Sequence, residues 1–186
     1  MIEALIVVDM QNAFFVRPHD GLVAAVNQRV ADAVANGHPV LYTRDIAPTD
    51  LPPGDPQGAT ELHPGLDVRG PVLPKGPGKD GNFSAFILSP PGTPPGHGLL
   101  GPLAAYLRAA RAERVRLIGI AADVCVAATA RDAVRLSYPA TVELAATAFV
   151  GAHPHGNDAA VTELIEAGVD VIGPPAPPGS SAGLCH

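Results

Sequence analysis

The chain has 186 residues, 47% of them hydrophobic, and a formal net charge of −6 at pH 7. This length suits one domain with one substantial core, and the negative charge argues against a nucleic-acid partner, which would require a basic face. No apolar run approaches the ~20 residues needed to span a bilayer, so we expect no membrane partner.

Apolar runs alternate with amphipathic segments along the chain, and this pattern predicts strands that alternate with helices. We predict strands at 4–8, 40–43, 72–73, 116–120, 141–144 and 169–172. We predict helices at 22–35, 99–112, 124–136 and 158–167, the second of which carries Leu100, Leu103 and Leu107 on one face. Such alternation is typical of an α/β fold in which helices cover both faces of a parallel sheet.

The 20 glycines and 21 prolines cluster in loops, and we find neither an internal repeat nor a domain linker. We therefore expect residues 1–186 to form a single domain. The segment 173–186 is rich in proline, glycine and serine and lacks helix or strand signals, which predicts a flexible tail.

Cys125 lies at the predicted start of a helix, after a buried strand and a turn that contains Asp123. The partial positive charge of a helix N-terminus favours a thiolate, and its unpaired amides can hold an oxyanion. The alternative is that Cys125 is a small buried apolar side chain, the commoner role of a free cysteine. The other cysteine, Cys185, lies in the predicted tail. We expect both thiols to be free in a cytoplasmic protein, since Glu3 and Asp9 interrupt the pattern of a secretory signal.

Asp9, Asp45, Lys75 and Cys125 all lie at or just after predicted strand ends. Because ligands of parallel sheets bind outside the carboxyl ends of the strands, these side chains could converge. There, a carboxylate can take the proton of a thiol and a lysine can lower the pKa of that thiol. Asp9 could instead cap a turn, and Lys75 could be a solvated loop lysine. No histidine lies near Cys125 in the sequence, so a Cys–His pair has no local support.

Three blocks resemble a known family: IVVDMQNAFF around Asp9, KGPGKDGNFSAF from Lys75 and GIAADVCVAATARDAV around Cys125. In order and spacing they are similar to the signature blocks of the isochorismatase-like cysteine hydrolases. The resemblance implies a three-layer α/β/α sandwich with a six-stranded parallel sheet and a catalytic triad of Asp9, Lys75 and Cys125. It also implies a cis peptide bond between Ile120 and Ala121, which would direct the amides of Ala121 and Cys125 at an oxyanion.

The segment 83–86 resembles the nicotinamidase branch of this family, whose members bind a divalent metal through an acid and histidines. The resemblance makes Asp45 the acid, but Ala47 stands where the first histidine is expected and Asp55 lies near the second position. His63 matches the last. We therefore expect no required cofactor and leave open a weakly bound divalent metal at Asp45, Asp55 and His63. The alternative for His63 is a structural loop histidine with a backbone hydrogen bond.

The resemblance implies an amidohydrolase that cleaves the C–N bond of a small-molecule amide through a thioester, and we expect a cytoplasmic homo-oligomer. Phe14, Phe83 and Phe86 are candidates for an apolar substrate wall, with plain core packing as their alternative. Two other functions stay open. One is isochorismatase-type hydrolysis of a vinyl ether, in which acid catalysis by Asp9 dominates. The other is a non-catalytic α/β module for binding or assembly, in which Cys125 is unreactive.

Overall fold

The computed structural model describes residues 1–15, 19, 21–51, 53–90, 92–94 and 97–174. Its centre is a six-stranded parallel sheet with the strand order β3-β2-β1-β4-β5-β6. The strands are β1 (Glu3–Val8), β2 (Val40–Asp45), β3 (Val72–Lys75), β4 (Arg114–Ile120), β5 (Ala140–Ala148) and β6 (Asp170–Ile172). The helices are α1 (Leu22–Ala35), α2 (Leu103–Ala109), α3 (Cys125–Arg135) and α4 (Asn157–Glu166). The predicted α/β/α sandwich is confirmed.

The two faces of the sheet carry separate apolar cores, because side chains alternate along each strand. In β1, Ala4, Ile6 and Val8 contribute to the core beneath α2, α3 and α4, while Leu5 and Val7 contribute to the core beneath α1. The apolar run predicted as a central strand is therefore buried on both faces.

The strand order reverses between β1 and β4, because the chain first runs outward to β3 and then returns to the other side of β1. Ligands of open parallel sheets bind at the carboxyl ends of the strands beside such a reversal. Asp9 follows β1, and Cys125 follows β4 after a short turn. Asp45 and Lys75 are the last residues of β2 and β3. The topology thus explains why these four residues share one edge of the sheet.

The predicted helix at 99–112 is wrong in its first part, because α2 begins only at Leu103. Leu100 pairs with Ile87 as an isolated antiparallel bridge and is 60% exposed, whereas Leu103 and Leu107 are buried. Pro102 explains the difference, since the residue before a proline is disfavoured in the helical conformation. Strand β5 is longer than predicted. Residues 175–186, with Cys185 and most of the predicted tail, lie outside the described residues.

Within the described ranges, no helix is long and apolar enough to cross a membrane.

Candidate active site

Lys75 is the centre of a buried cluster at the carboxyl edge of the sheet. Its ammonium nitrogen lies 2.9 Å from Oδ2 of Asp9, 3.4 Å from Sγ of Cys125 and 3.3 Å from Oδ2 of Asp45. It also donates to the carbonyl oxygen of Phe83. All four side chains of the cluster are buried, and Lys75 and Asp9 have no exposed surface. A solvated loop lysine is therefore ruled out by the geometry.

Asp9 is held by its backbone and by Thr43. Its φ is 46°, a left-handed conformation that is unusual outside glycine and that occurs often at functional sites. The Thr43 hydroxyl donates to Oδ1 of Asp9 at 2.7 Å and accepts from the Asp9 amide at 3.1 Å. Oδ2 remains directed at Lys75. The carboxylate therefore has one oxygen fixed and one facing the reactive groups.

The turn between β4 and α3 places Cys125 at the first residue of the helix. The peptide bond between Ile120 and Ala121 is cis. The amide of Ala122 donates to the carbonyl of Ala148, but the amides of Ala121 and Cys125 donate to no backbone oxygen in the part of the chain that the structure describes. Both are thus free to donate to an oxyanion beside Sγ.

Burial changes the expected charge of Cys125. The sequence predicts a stabilised thiolate, but burial, reinforced by the negative charge of Asp9, raises the pKa of the Cys125 thiol, and Lys75 lowers it only in part. Burial by itself lowers the pKa of Lys75. The electrostatic effects of Asp9, Cys125 and Asp45 are together larger, so the pKa of Lys75 is raised. Burial therefore works against the thiolate that the sequence predicts, while an ammonium and a carboxylate lie beside the thiol.

The three metal candidates do not form a metal site. Asp45 faces Lys75, and its Oδ1 accepts from the amides of Ala47 and Gly78 at 3.0 Å. Asp55 is a loop residue whose carboxylate accepts from Ala59 and Thr60.

Hydrogen bonds from the hydroxyl and amide of Thr60 hold the pKa of Asp55 below its usual range. His63 is the loop histidine of the alternative interpretation: its Nδ1 accepts from the Gly65 amide at 3.0 Å and its ring packs on Phe15. No group of three His, Cys, Asp or Glu residues within the described residues could hold a metal ion. Zinc sites require about four ligands, at least three of them from the protein, so these residues do not fit zinc.

A small, largely apolar cavity opens beside Cys125. Phe14 and Phe83, two of the three candidates for a substrate wall, line it together with Val124 and Val150. Phe86 does not belong to this wall, because it is 1% exposed and packs in the core beneath α2 and α3. The cavity therefore offers apolar contacts around the thiol, with Asp45 the only carboxylate among the described residues that line it.

Two polar residues that sequence reasoning did not select position the thiol and the cavity wall. Asp123 accepts from the amides of Val150 and Ala152 at 3.1 and 2.6 Å, and so ties the loop after β5 to the nucleophile turn. Thr129 donates to the Cys125 carbonyl at 2.7 Å and accepts from Ala85 at 2.9 Å. The signal for Thr129 was its helical spacing from Cys125, which places both on one face of α3.

The fold and this cluster define an α/β protein with a buried Asp–Lys–Cys constellation at a strand switch point. The isochorismatase domain family matches residues 3–173, and the chain belongs to that family.

Named relatives resemble the chain over nearly its whole length. It is 32% identical to the nicotinamidase/pyrazinamidase of Mycobacterium tuberculosis (strain ATCC 25618 / H37Rv), over 92% of this chain and 98% of that protein. The pyrazinamidase of Pyrococcus horikoshii in complex with zinc superposes with a TM-score of 0.73 at 25% identity, over 92% and 99% of the two chains. N-carbamoylsarcosine amidase from Thermoplasma acidophilum superposes with a TM-score of 0.68 at 26% identity, over 92% and 95%. The chain is therefore related to nicotinamidases.

Proposed function

We propose that this protein is a cysteine amidohydrolase that cleaves the C–N bond of a small-molecule amide. The contact of one buried ammonium with both Sγ of Cys125 and the carboxylate of Asp9 carries the proposal. The names of its relatives, which include nicotinamidase, pyrazinamidase and N-carbamoylsarcosine amidase, all describe amide hydrolysis and support it. We also infer a cytoplasmic homo-oligomer of a single domain.

In the first half of the reaction Asp9 takes the proton of the Cys125 thiol as Sγ attacks the amide carbonyl carbon. The amides of Ala121 and Cys125 donate to the oxyanion that forms, and the charge of Lys75 stabilises the thiolate. When the tetrahedral intermediate collapses, the C–N bond breaks and the protonated Asp9 gives its proton to the departing nitrogen. Ammonia or an amine leaves, and the acyl group remains on Cys125 as a thioester.

In the second half a water molecule attacks the thioester carbonyl while Asp9 accepts one of its protons. The C–S bond then breaks, the carboxylic acid leaves and Asp9 returns the proton to Sγ. Asp9 thus alternates between carboxylate and acid twice per turnover. No step requires a metal ion bound to the residues at Asp45, Asp55 and His63.

The experiment is a panel of small amides assayed for released ammonia, with a vinyl ether such as isochorismate as the competing substrate. We expect hydrolysis of at least one amide by the wild type. Cys125→Ala should reduce it by at least about a thousandfold, because the covalent step is lost. Cys185→Ala is the matched control and should retain full activity. Hydrolysis of the vinyl ether but of no amide would instead favour the isochorismatase-type reaction, and inactivity on both classes would favour a non-catalytic module.

A further inference from the structure

Asp45 is a buried carboxylate that the reaction above does not use. It is 1% exposed and ends β2 beside β3, where its residue pairs with Lys75 across the two strands. Its backbone is fixed on both sides by one side chain, since Gln11 accepts from the Asp45 amide at 2.8 Å and donates to the Asp45 carbonyl at 2.9 Å. A carboxylate held so firmly in the interior requires a compensating charge.

The two oxygens of Asp45 have different surroundings. Oδ1 accepts from the amides of Ala47 and Gly78. Oδ2 receives no hydrogen bond from the described residues and lies 3.3 Å from the Lys75 ammonium nitrogen. The chain leaves room for this arrangement, because a Cβ at Gly76 or Gly78 would lie 2.5 Å from a carboxylate oxygen of Asp45. The side chain is therefore aimed at Lys75 by backbone contacts alone.

Asp9 and Asp45 differ in their relation to the thiol. Asp9 takes the thiol proton in the proposed reaction, whereas Asp45 takes no proton and only adds a negative charge that raises the pKa of the Cys125 thiol. In the proposed reaction Asp9 becomes neutral each time it takes a proton, and Cys125 is neutral in the thioester. Among the described residues, Asp45 is the one charged partner of Lys75 whose charge does not alternate. A buried ammonium that lost its counter-charges would be strongly disfavoured, so a constant partner keeps Lys75 charged and in place.

We propose that Asp45 is a positioning residue, the permanent counter-charge that holds Lys75 between Asp9 and Cys125 while those two groups exchange a proton. The role of Asp45 in turnover rests on the proposed function, but the ion pair between Asp45 and Lys75 can be tested without a substrate. The competing explanation is that Asp45 serves only as an acceptor for the Ala47 and Gly78 amides. An asparagine would keep the shape and one oxygen acceptor while removing the charge.

The test is a cycle of four proteins: wild type, Asp45→Asn, Lys75→Met and the double variant, compared by thermal unfolding at pH 7. We expect Asp45→Asn to lower the melting temperature of the wild type by several degrees. In the Lys75→Met background the same change should raise it, because it removes a buried carboxylate that has lost its partner. An equal loss in both backgrounds would overturn the proposal and leave only the amide-acceptor role.

The alkylation of Cys125 by a neutral reagent, followed by peptide mapping, gives a second readout that needs no amide substrate. Removing the negative charge of Asp45 should shift the pH midpoint of the reaction downward by about one unit. Asp50→Asn is the matched control, since Asp50 also pairs with a lysine, Lys79, but is 96% exposed, and it should leave the midpoint unchanged. An unshifted midpoint in folded Asp45→Asn would contradict the proposal, whereas an inactive wild type would contradict only the amidohydrolase assignment.

Discussion

Replacing Lys75 with methionine tests whether the buried cluster depends on one ammonium. Methionine keeps most of the side-chain volume, but it leaves Asp9 and Asp45 buried without their cation. Removing one partner of a buried ion pair costs about 3 kcal/mol or more. For a chain of this size that loss lowers the melting temperature by roughly 6 to 12 °C.

The pH dependence of this loss has a defined sign. Burial raises the pKa of the Asp45 carboxyl, Lys75 opposes that rise, and removal of Lys75 raises the pKa further. A carboxyl group with a raised pKa contributes stability that is present in full below its unfolded pKa and is lost as the pH rises through its folded pKa. The gap in stability between wild type and Lys75→Met should therefore widen from pH 4 to pH 7.

Calorimetry or urea unfolding at both pH values provides the measurement. Lys79→Met is the control, because Lys79 is 36% exposed and pairs with the exposed Asp50, so the change should cost less than about 1 kcal/mol. If Lys75→Met were as stable as the wild type at pH 7, or if Lys79→Met were the more damaging change, the assignment of the buried lysine would be refuted.

Three further changes have defined outcomes. Gly119→Ala should destabilise the fold by about 3 kcal/mol or more in urea unfolding, because a Cβ there would lie 2.2 Å from the Val8 carbonyl oxygen; Gly151→Ala, also at positive φ but with nothing within 4 Å of its Cβ, should cost less. Asp123→Ala should release the loop at Val150, which would raise KM more than it lowers kcat and speed amide hydrogen exchange there; an unchanged KM would contradict this role. Chelation should leave amide turnover nearly unchanged, and one tightly held zinc per chain in elemental analysis, with activity lost on chelation, would contradict the poor fit of the metal candidates.

The strands and the positions of the reactive residues follow well from the sequence, because an apolar run flanked by a polar residue is a local signal. Asp9 and Lys75 are identifiable in this way at the ends of two such runs. Pro102 shows the limit of periodicity, since the apolar spacing of Leu100 with later leucines extends across a proline that disfavours a helix before it and so marks the start of α2.

The charge state of the site depends on burial, which a local pattern does not contain. The position of Cys125 at a helix start predicts a thiolate, but burial in the surrounding core and the charge of Asp9 raise the pKa of the thiol and oppose that preference. The ion pair between Asp45 and Lys75 likewise arises from the order of β2 and β3 in the sheet. The structural role of His63 depends on the path of its loop, because that path brings the imidazole ring to the Gly65 amide and to the ring of Phe15.

Trapping of the acyl-enzyme tests the central claim most directly. The protein is mixed with an amide that it hydrolyses, quenched with acid during turnover and mapped by mass spectrometry. The proposed mechanism predicts that the peptide containing Cys125 gains the mass of the acyl group, that the Cys185 peptide does not, and that Lys75→Met reduces the adduct. Continued hydrolysis by Cys125→Ala, with no acyl group on any cysteine of the wild type, would contradict covalent catalysis by Cys125.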